Sequence, residues 1–151
     1  MASEARAAAT VALAPEAAQA LWTSVRRWPT FVEGFARPLE ERGGWPEPGS
    51  TLVWESIPGG RGRVTEKIRE NEPGRLVTEV FEERMSATQT VTFAEDAEGA
   101  RVEVLLEYEL TERGPIAWLA GLFFVRRALR DSTVRSLRRF AVEAAEEASY
   151  E

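Results

Sequence analysis

The chain has 151 residues with 25 acidic and 19 basic side chains, a net charge of −6, and neither cysteine nor histidine. Disulfides, thiolate chemistry, Ser-His-Asp and Cys-His catalysis and ordinary zinc sites are therefore excluded. Acid–base chemistry is left to Asp, Glu, Tyr, Arg and the single lysine, Lys67.

A chain of this length is expected to form one domain, residues 1–151, around one core. Residues Glu4 to Leu13 read as a first strand. Pro15 then opens a helix with Ala18, Leu21, Trp22 and Val25 at helical spacing, and Trp28-Pro29 ends it because the residue before proline is pushed out of the α region. Pro29 to Phe35 is read as a second short helix. From Ala36 the period changes to two, giving six more strands: Ala36 to Glu41, Thr51 to Ile57, Gly62 to Glu70, Arg75 to Glu82, Ala87 to Glu95 and Ala100 to Thr111. The turns between them are too short for crossover helices, so the strands form an antiparallel meander. Gly59-Gly60-Arg61-Gly62 is one of these hairpin turns, since it does not open a helix as a phosphate-binding loop would.

Alternation assigns the inner faces. Val64, Glu66 and Ile68 look inward, as do Ala87, Gln89, Val91 and Phe93, and then Val102, Val104, Leu106, Tyr108 and Leu110. The strands holding Trp54 and Phe81 are ambiguous by pattern, with Trp54 favoured inside. Gly114 to Glu147 reads as one long helix, with Pro115 at its first position and its acidic end, from about residue 148, fraying. Its apolar stripe is Ile116, Leu119, Ala120, Phe123, Val134, Leu137, Ala141 and Ala144. Arg127 and Arg130 interrupt that stripe.

Charge is unevenly placed. Arg113 to Arg139 holds seven Arg and one Asp, or +6, whereas Phe140 to Glu151 holds four Glu, or −4, leaving −8 for the rest. The acidic background argues against nucleic acid as a partner. At the N-terminus Glu4 offsets Arg6, and Pro15 and Glu16 interrupt the apolar run, so a signal peptide is not expected. The apolar run Ile116 to Val125 is about half the ~20 residues a membrane span needs. A cytoplasmic protein is expected.

The carrying pieces of a family resemblance are Val11-Ala12-Leu13-Ala14-Pro15-Glu16 before Leu21-Trp22, then Arg27-Trp28-Pro29-Thr30-Phe31, then Pro48-Gly49-Ser50-Thr51. Glu70-Asn71-Glu72-Pro73-Gly74-Arg75-Leu76, Gly99-Ala100-Arg101-Val102 and the Arg-rich terminal helix follow. In this order they resemble the START/Bet v 1-like (SRPBCC) superfamily, and within it the bacterial polyketide cyclase/dehydrase and lipid-transport branch. The resemblance implies an α+β helix-grip fold: a seven-stranded curved antiparallel sheet around a long C-terminal helix, with two short helices between strands 1 and 2. It also implies a cavity between sheet and helix for a hydrophobic small molecule such as a lipid, polyketide or isoprenoid. Fold alone does not fix function in this group.

An arginine on a core-facing stripe needs a carboxylate from the protein or from a ligand. Arg127 and Arg130 are therefore grouped with Glu66, Gln89 and Tyr108 as the candidate site, Arg130 anchoring an acidic or carbonyl head. The bland alternative is that both arginines snorkel outward or pair with Glu66. Trp28, Phe31, Trp54, Leu119 and Phe123 are the expected apolar lining, with the second helix as a lid; core filling is the plain alternative for these rings. Binding or transport is the preferred reading, with no catalytic residue, cofactor or metal assigned. One alternative is a cyclase/dehydratase-type enzyme using Glu66, Tyr108 and Arg130. Another is a peripheral membrane or partner-docking protein using Trp118, Phe124 and the arginine cluster, as a monomer or homodimer.

Overall fold

A computed structural model describes residues 3–110 and 115–150, the side chains of 115–125 excepted. The elements run in the expected order. Strand β1 (Ser3–Val11) is followed by α1 (Pro15–Thr23), a 3-10 turn (Val25–Arg27) and α2 (Trp28–Phe31). Then come β2 (Phe35–Arg42), β3 (Thr51–Ser56), β4 (Arg63–Glu72), β5 (Arg75–Glu82), β6 (Met85–Asp96), β7 (Gly99–Leu110) and the long helix α3 (Pro115–Ser149). The seven strands form one antiparallel sheet in the order β1-β7-β6-β5-β4-β3-β2. β1 and β2, neighbours in sequence, thus lie on opposite edges. The two short helices carry the chain across, and α3 lies over the inner face.

One local expectation differs. Trp28 does not end a helix but begins α2, in the α region with Pro29 directly after it. The conformation is disfavoured before proline. Tertiary contacts hold it: the Trp28 indole N–H donates to the Trp22 carbonyl at 2.8 Å, and its ring packs edge-on against Phe35, Trp45 and Trp54. α1 has already ended at Thr23, before Ser24 turns extended.

Period-two patterning places the inner faces as expected on β4, β6 and β7: Val64, Glu66, Ile68, Ala87, Val91, Phe93, Val102, Val104, Leu106 and Tyr108 are all buried. On the two ambiguous strands Trp54 is buried and Ile57 exposed, while Leu76, Thr78 and Val80 are buried and Phe81 is exposed. The β2 edge is almost wholly exposed, carries Pro38, and slips register on either side of it. Those features keep a sheet edge from recruiting another strand.

On α3 the face turned to the sheet keeps Leu137, Ala141 and Ala144 of the expected stripe and is shifted round the helix from it; Ile116, Leu119, Ala120 and Phe123 lie outside the described side chains. Leu137, Phe140 and Ala144 are buried, with Leu129 packed on the same core. Val134 is only half-buried, and Arg127 and Arg130 are exposed. The facing side is rotated toward Ser132, Thr133, Ser136 and Phe140, which share one helical face with Leu129 and Ala144. Phe140 meets Trp22 and Phe31, each at 5.0 Å between ring centres, and Trp22 also meets Phe93 at 6.4 Å. That ring cluster seals one half of the helix–sheet interface.

Candidate functional site

The other half is hollow. A cavity of about 100 Å³ lies between the sheet and α3. Its floor is Trp54, Glu66, Val80, Met85, Gln89, Val104 and Leu106, and its roof is Leu129, Ser132, Thr133 and Ser136. Trp22, Trp28, Val32 and Glu33 close one side, and Arg61 of the β3–β4 hairpin closes another. By volume this is the scale of a single six-membered ring. It exists because the roof residues are short: three successive inward positions on α3 carry hydroxyls where the sealed half carries Leu and Phe.

Glu66 is the polar centre. In the β3–β4 register Leu52 faces Glu66 and Trp54 faces Val64, so Trp54 and Glu66 are diagonal neighbours on the inner face. Diagonal reach suits a long aromatic side chain. The Trp54 indole N–H donates to Glu66 Oε2 at 2.6 Å. Burial pushes the Glu66 carboxyl above the usual carboxylate range, opposed by that hydrogen bond and by the positive charge of Arg61. Among the described residues it is the one buried carboxylate.

Arg61 is placed by its turn. Gly59 and Gly62 hold positive φ, and Ser56 Oγ accepts the Gly62 N–H at 2.8 Å while the Ser56 N–H donates to the Gly62 carbonyl at 2.9 Å. The closed turn folds Arg61 back over the sheet. Its guanidinium carbon lies 5.4 Å from the centre of the Trp54 ring, and its Nε donates to Glu82 Oε2 at 2.5 Å. Among the described residues Nη1 and Nη2 have no hydrogen-bond partner.

The wall beside α2 is strapped to α3. Arg27 bonds Glu143 and, through Nη1, Glu147 at 2.9 Å. Arg135 Nε donates to Glu33 Oε2 at 2.6 Å, and the Glu33 N–H donates to Ser136 Oγ at 2.9 Å.

Of the residues singled out in the sequence, Trp28, Trp54, Glu66 and Gln89 come together around the cavity. Phe31 does not; it is fully buried in the ring cluster with Trp22 and Phe140. Tyr108 does not either. Glu66, Val80, Ala87 and Tyr108 form one cross-strand row, which puts Tyr108 three strand spacings, roughly 14 Å, from Glu66. Its hydroxyl is buried beside Ser3, its cross-strand neighbour on β1, and burial pushes the phenol up, opposed by the charge of Arg126 and by the Ser3 side chain. Arg127 and Arg130 are exposed and neither is among the residues lining the cavity, and neither pairs with Glu66. Leu119 and Phe123, with Trp118 and Phe124, lie outside the described residues.

The cation the site needed is Arg61, which the periodicity of strands and helices does not reveal. The available signal was proximity: a carboxylate on an inner face calls for a partner, and Arg61 is the arginine that a tight glycine turn returns toward the buried Trp54. Of Glu55, Glu66, Glu79 and Glu107, only Glu66 faces the cavity, so a carboxylate pair drawn from those four is not formed. No group of carboxylates that could hold a metal ion occurs among the described residues. No helix among them is long and apolar enough to cross a membrane.

Sheet, gripped helix and intervening hollow define a protein of the SRPBCC/Bet v 1-like superfamily with the helix-grip fold. The family model described as polyketide cyclase / dehydrase and lipid transport matches residues 3–145, and the chain belongs to that family. No curated protein matches its sequence. Among solved structures it is similar to TTHA0849 from Thermus thermophilus, at 19% identity and a TM-score of 0.79, covering 96% of this chain and 99% of that one. It is also similar to the di-domain ARO/CYC StfQ of the steffimycin biosynthetic pathway, at 16% identity and a TM-score of 0.77, covering 99% of this chain and 52% of that one. Norcoclaurine synthase from Thalictrum flavum, in complex with dopamine and hydroxybenzaldehyde, aligns at 12% identity and a TM-score of 0.68, covering 95% of this chain and 88% of that one. At these identities the likeness is one of fold.

Proposed function

We propose that the protein binds a hydrophobic small molecule between the sheet and α3, as a cytoplasmic binder or carrier, with the apolar part against Trp28, Trp54 and Leu129 and the polar end at Glu66. The observation that carries this reading is the hollow itself: a cavity of about 100 Å³ with a buried carboxyl group on its floor. A monomeric fold with no use for that space would gain stability by filling it. Membership in a family described by lipid transport and polyketide cyclisation agrees with it, as does a neighbour of the same fold in complex with two small aromatic molecules.

Native mass spectrometry of the purified protein tests the reading without a guess at the ligand. A lipophilic molecule should co-purify with the wild type and be lost from Ser132→Leu, which fills the roof. Retention of the same molecule by Ser132→Leu would place it elsewhere and sink the proposal.

A second reading is favoured by the state of Glu66. A carboxyl whose proton is held more tightly through burial is what a general acid requires, which supports cyclase/dehydratase-type chemistry with Glu66 as proton donor. Tyr108 and Arg130 have no part in it at their observed positions. Under this reading Glu66→Gln abolishes turnover of a poly-β-keto substrate while binding survives; equal turnover by the variant removes it.

A further inference from the structure

The polar end of the cavity is unbalanced in a way that narrows the ligand. Arg61 offers the N–H groups of Nη1 and Nη2, since only its Nε is engaged, by Glu82. Trp54 holds Oε2 of Glu66, leaving the carboxyl's other oxygen unpaired by protein among the described residues. The Gln89 amide on the floor and the Ser132 hydroxyl on the roof have no hydrogen-bond partner among the described residues either. Burial favours the uncharged form of the carboxyl, which adds a donor to those of Arg61, Gln89 and Ser132, and of the two other charged groups on the lining Glu33 is already paired with Arg135 while Arg61 keeps free N–H groups. Two guanidinium N–H groups in a plane match two oxygens in a plane.

Resting on the binding reading above, we propose that the site selects a single-ring ligand bearing a carboxylate over its neutral isostere, with Arg61 as the residue that determines this preference. The ring occupies the space bounded by Trp28, Trp54 and Leu129. One carboxylate edge meets the free side of the guanidinium, and the Glu66 O–H donates to the oxygen nearer the floor. Such an arrangement requires Glu66 to be uncharged, because a second carboxylate a few ångströms from the first is repelled.

The charges facing Glu66 are few. From the hairpin come Arg61 and, through it, Glu82. From the segment after α2 comes Glu33, in the side wall and paired with Arg135. The residues of α3, β5, β6 and β7 that line the space are uncharged. Glu66 is raised by burial and therefore ionises as pH rises, so affinity for a carboxylate falls in the alkaline direction.

Benzoate and benzamide are the probes, the same size and differing in charge. Binding is followed by quenching of tryptophan fluorescence, since Trp22, Trp28 and Trp54 line the cavity. At the acid end of a pH series in which benzoate itself stays ionised, it should bind about tenfold or more tighter than benzamide, the scale of one charge-assisted hydrogen bond out of water. Arg61→Gln should abolish that ratio, benzoate losing far more affinity than benzamide. Across that pH series benzoate binding should weaken in the alkaline direction for the wild type but not for Glu66→Gln, whose amide cannot ionise. Equal affinities for the two probes, with both still quenching, would overturn the carboxylate preference and leave the cavity reading standing. Absence of quenching by either probe, together with no co-purifying molecule, would overturn both.

Discussion

Two stretches of the same helix face the same sheet with opposite results. From Leu137 to Ala144, α3 presents Leu137, Phe140 and Ala144, and the rings of Trp22 and Phe31 pack on the phenylalanine, with Phe93 behind Trp22. One to two turns earlier it presents Ser132, Thr133 and Ser136, and the sheet below answers with Trp54, Glu66 and Gln89 around empty space. Backbone geometry is continuous through both. Side-chain volume alone decides where the interface is solid and where it is hollow, and the buried carboxyl lies only in the hollow half. Stability and ligand recognition are thereby assigned to different turns of one element.

Breaking the solid half should have the largest effect. Phe140→Ala removes the ring at the centre of the sealed cluster and should cost about 3–5 kcal/mol, read from the urea midpoint. Benzoate affinity extrapolated to the fully folded protein should stay within about twofold, since Phe140 does not line the cavity. Converting the hollow half into the solid one is the reverse experiment. Ser132→Leu should lower probe affinity at least about tenfold while stability holds or rises by up to about 1 kcal/mol. A variant that binds normally would show that the roof is not where the ligand sits.

The Glu66 carboxyl sharpens the comparison through pH. Between the ordinary value of 4.5 and its raised value in the fold, the native state holds a proton that the unfolded chain has lost. Its contribution to stability is therefore fully present below 4.5 and is lost as pH climbs through the raised value. Denaturation midpoints taken from about pH 5 to pH 8 should decline with a slope of at most about 1.4 kcal/mol per pH unit, and Glu66→Gln should remove that decline. The smallest effect belongs to Tyr108, a buried polar group with no cavity beside it. Tyr108→Phe removes a hydroxyl whose described polar neighbour is Ser3 on the edge strand β1. It should change stability by less than about 1 kcal/mol and leave both probes' affinities unaltered.

The sheet was legible because its signal is repetitive. Every second residue of β4, β6 and β7 is apolar or singular, and the exceptions, Glu66 and Gln89, stand out against the period. α3 was less legible because its cavity-facing positions are Ser132, Thr133 and Ser136, which any apolar-stripe reading assigns to solvent. Choosing alanines and Val134 instead rotated the inferred inner side and brought Arg127 and Arg130 inward with it. Arg61 was missed for a different reason. A residue in a turn belongs to no period, and its direction depends on the Ser56–Gly62 bonds and the positive φ of two glycines, none of which is a pattern in sequence.

The strapping of α2 to α3 bears on how a molecule gets in. A route past Val32 must undo Arg27 from Glu143 and Glu147, Arg135 from Glu33, and the Glu33 amide from Ser136. A route past the β3–β4 hairpin need only swing one guanidinium off Glu82 and the Trp54 ring. The second helix is thus strapped in place as a wall, and under the proposed binding function the glycine-rich hairpin is the cheaper doorway, with Arg61 across it.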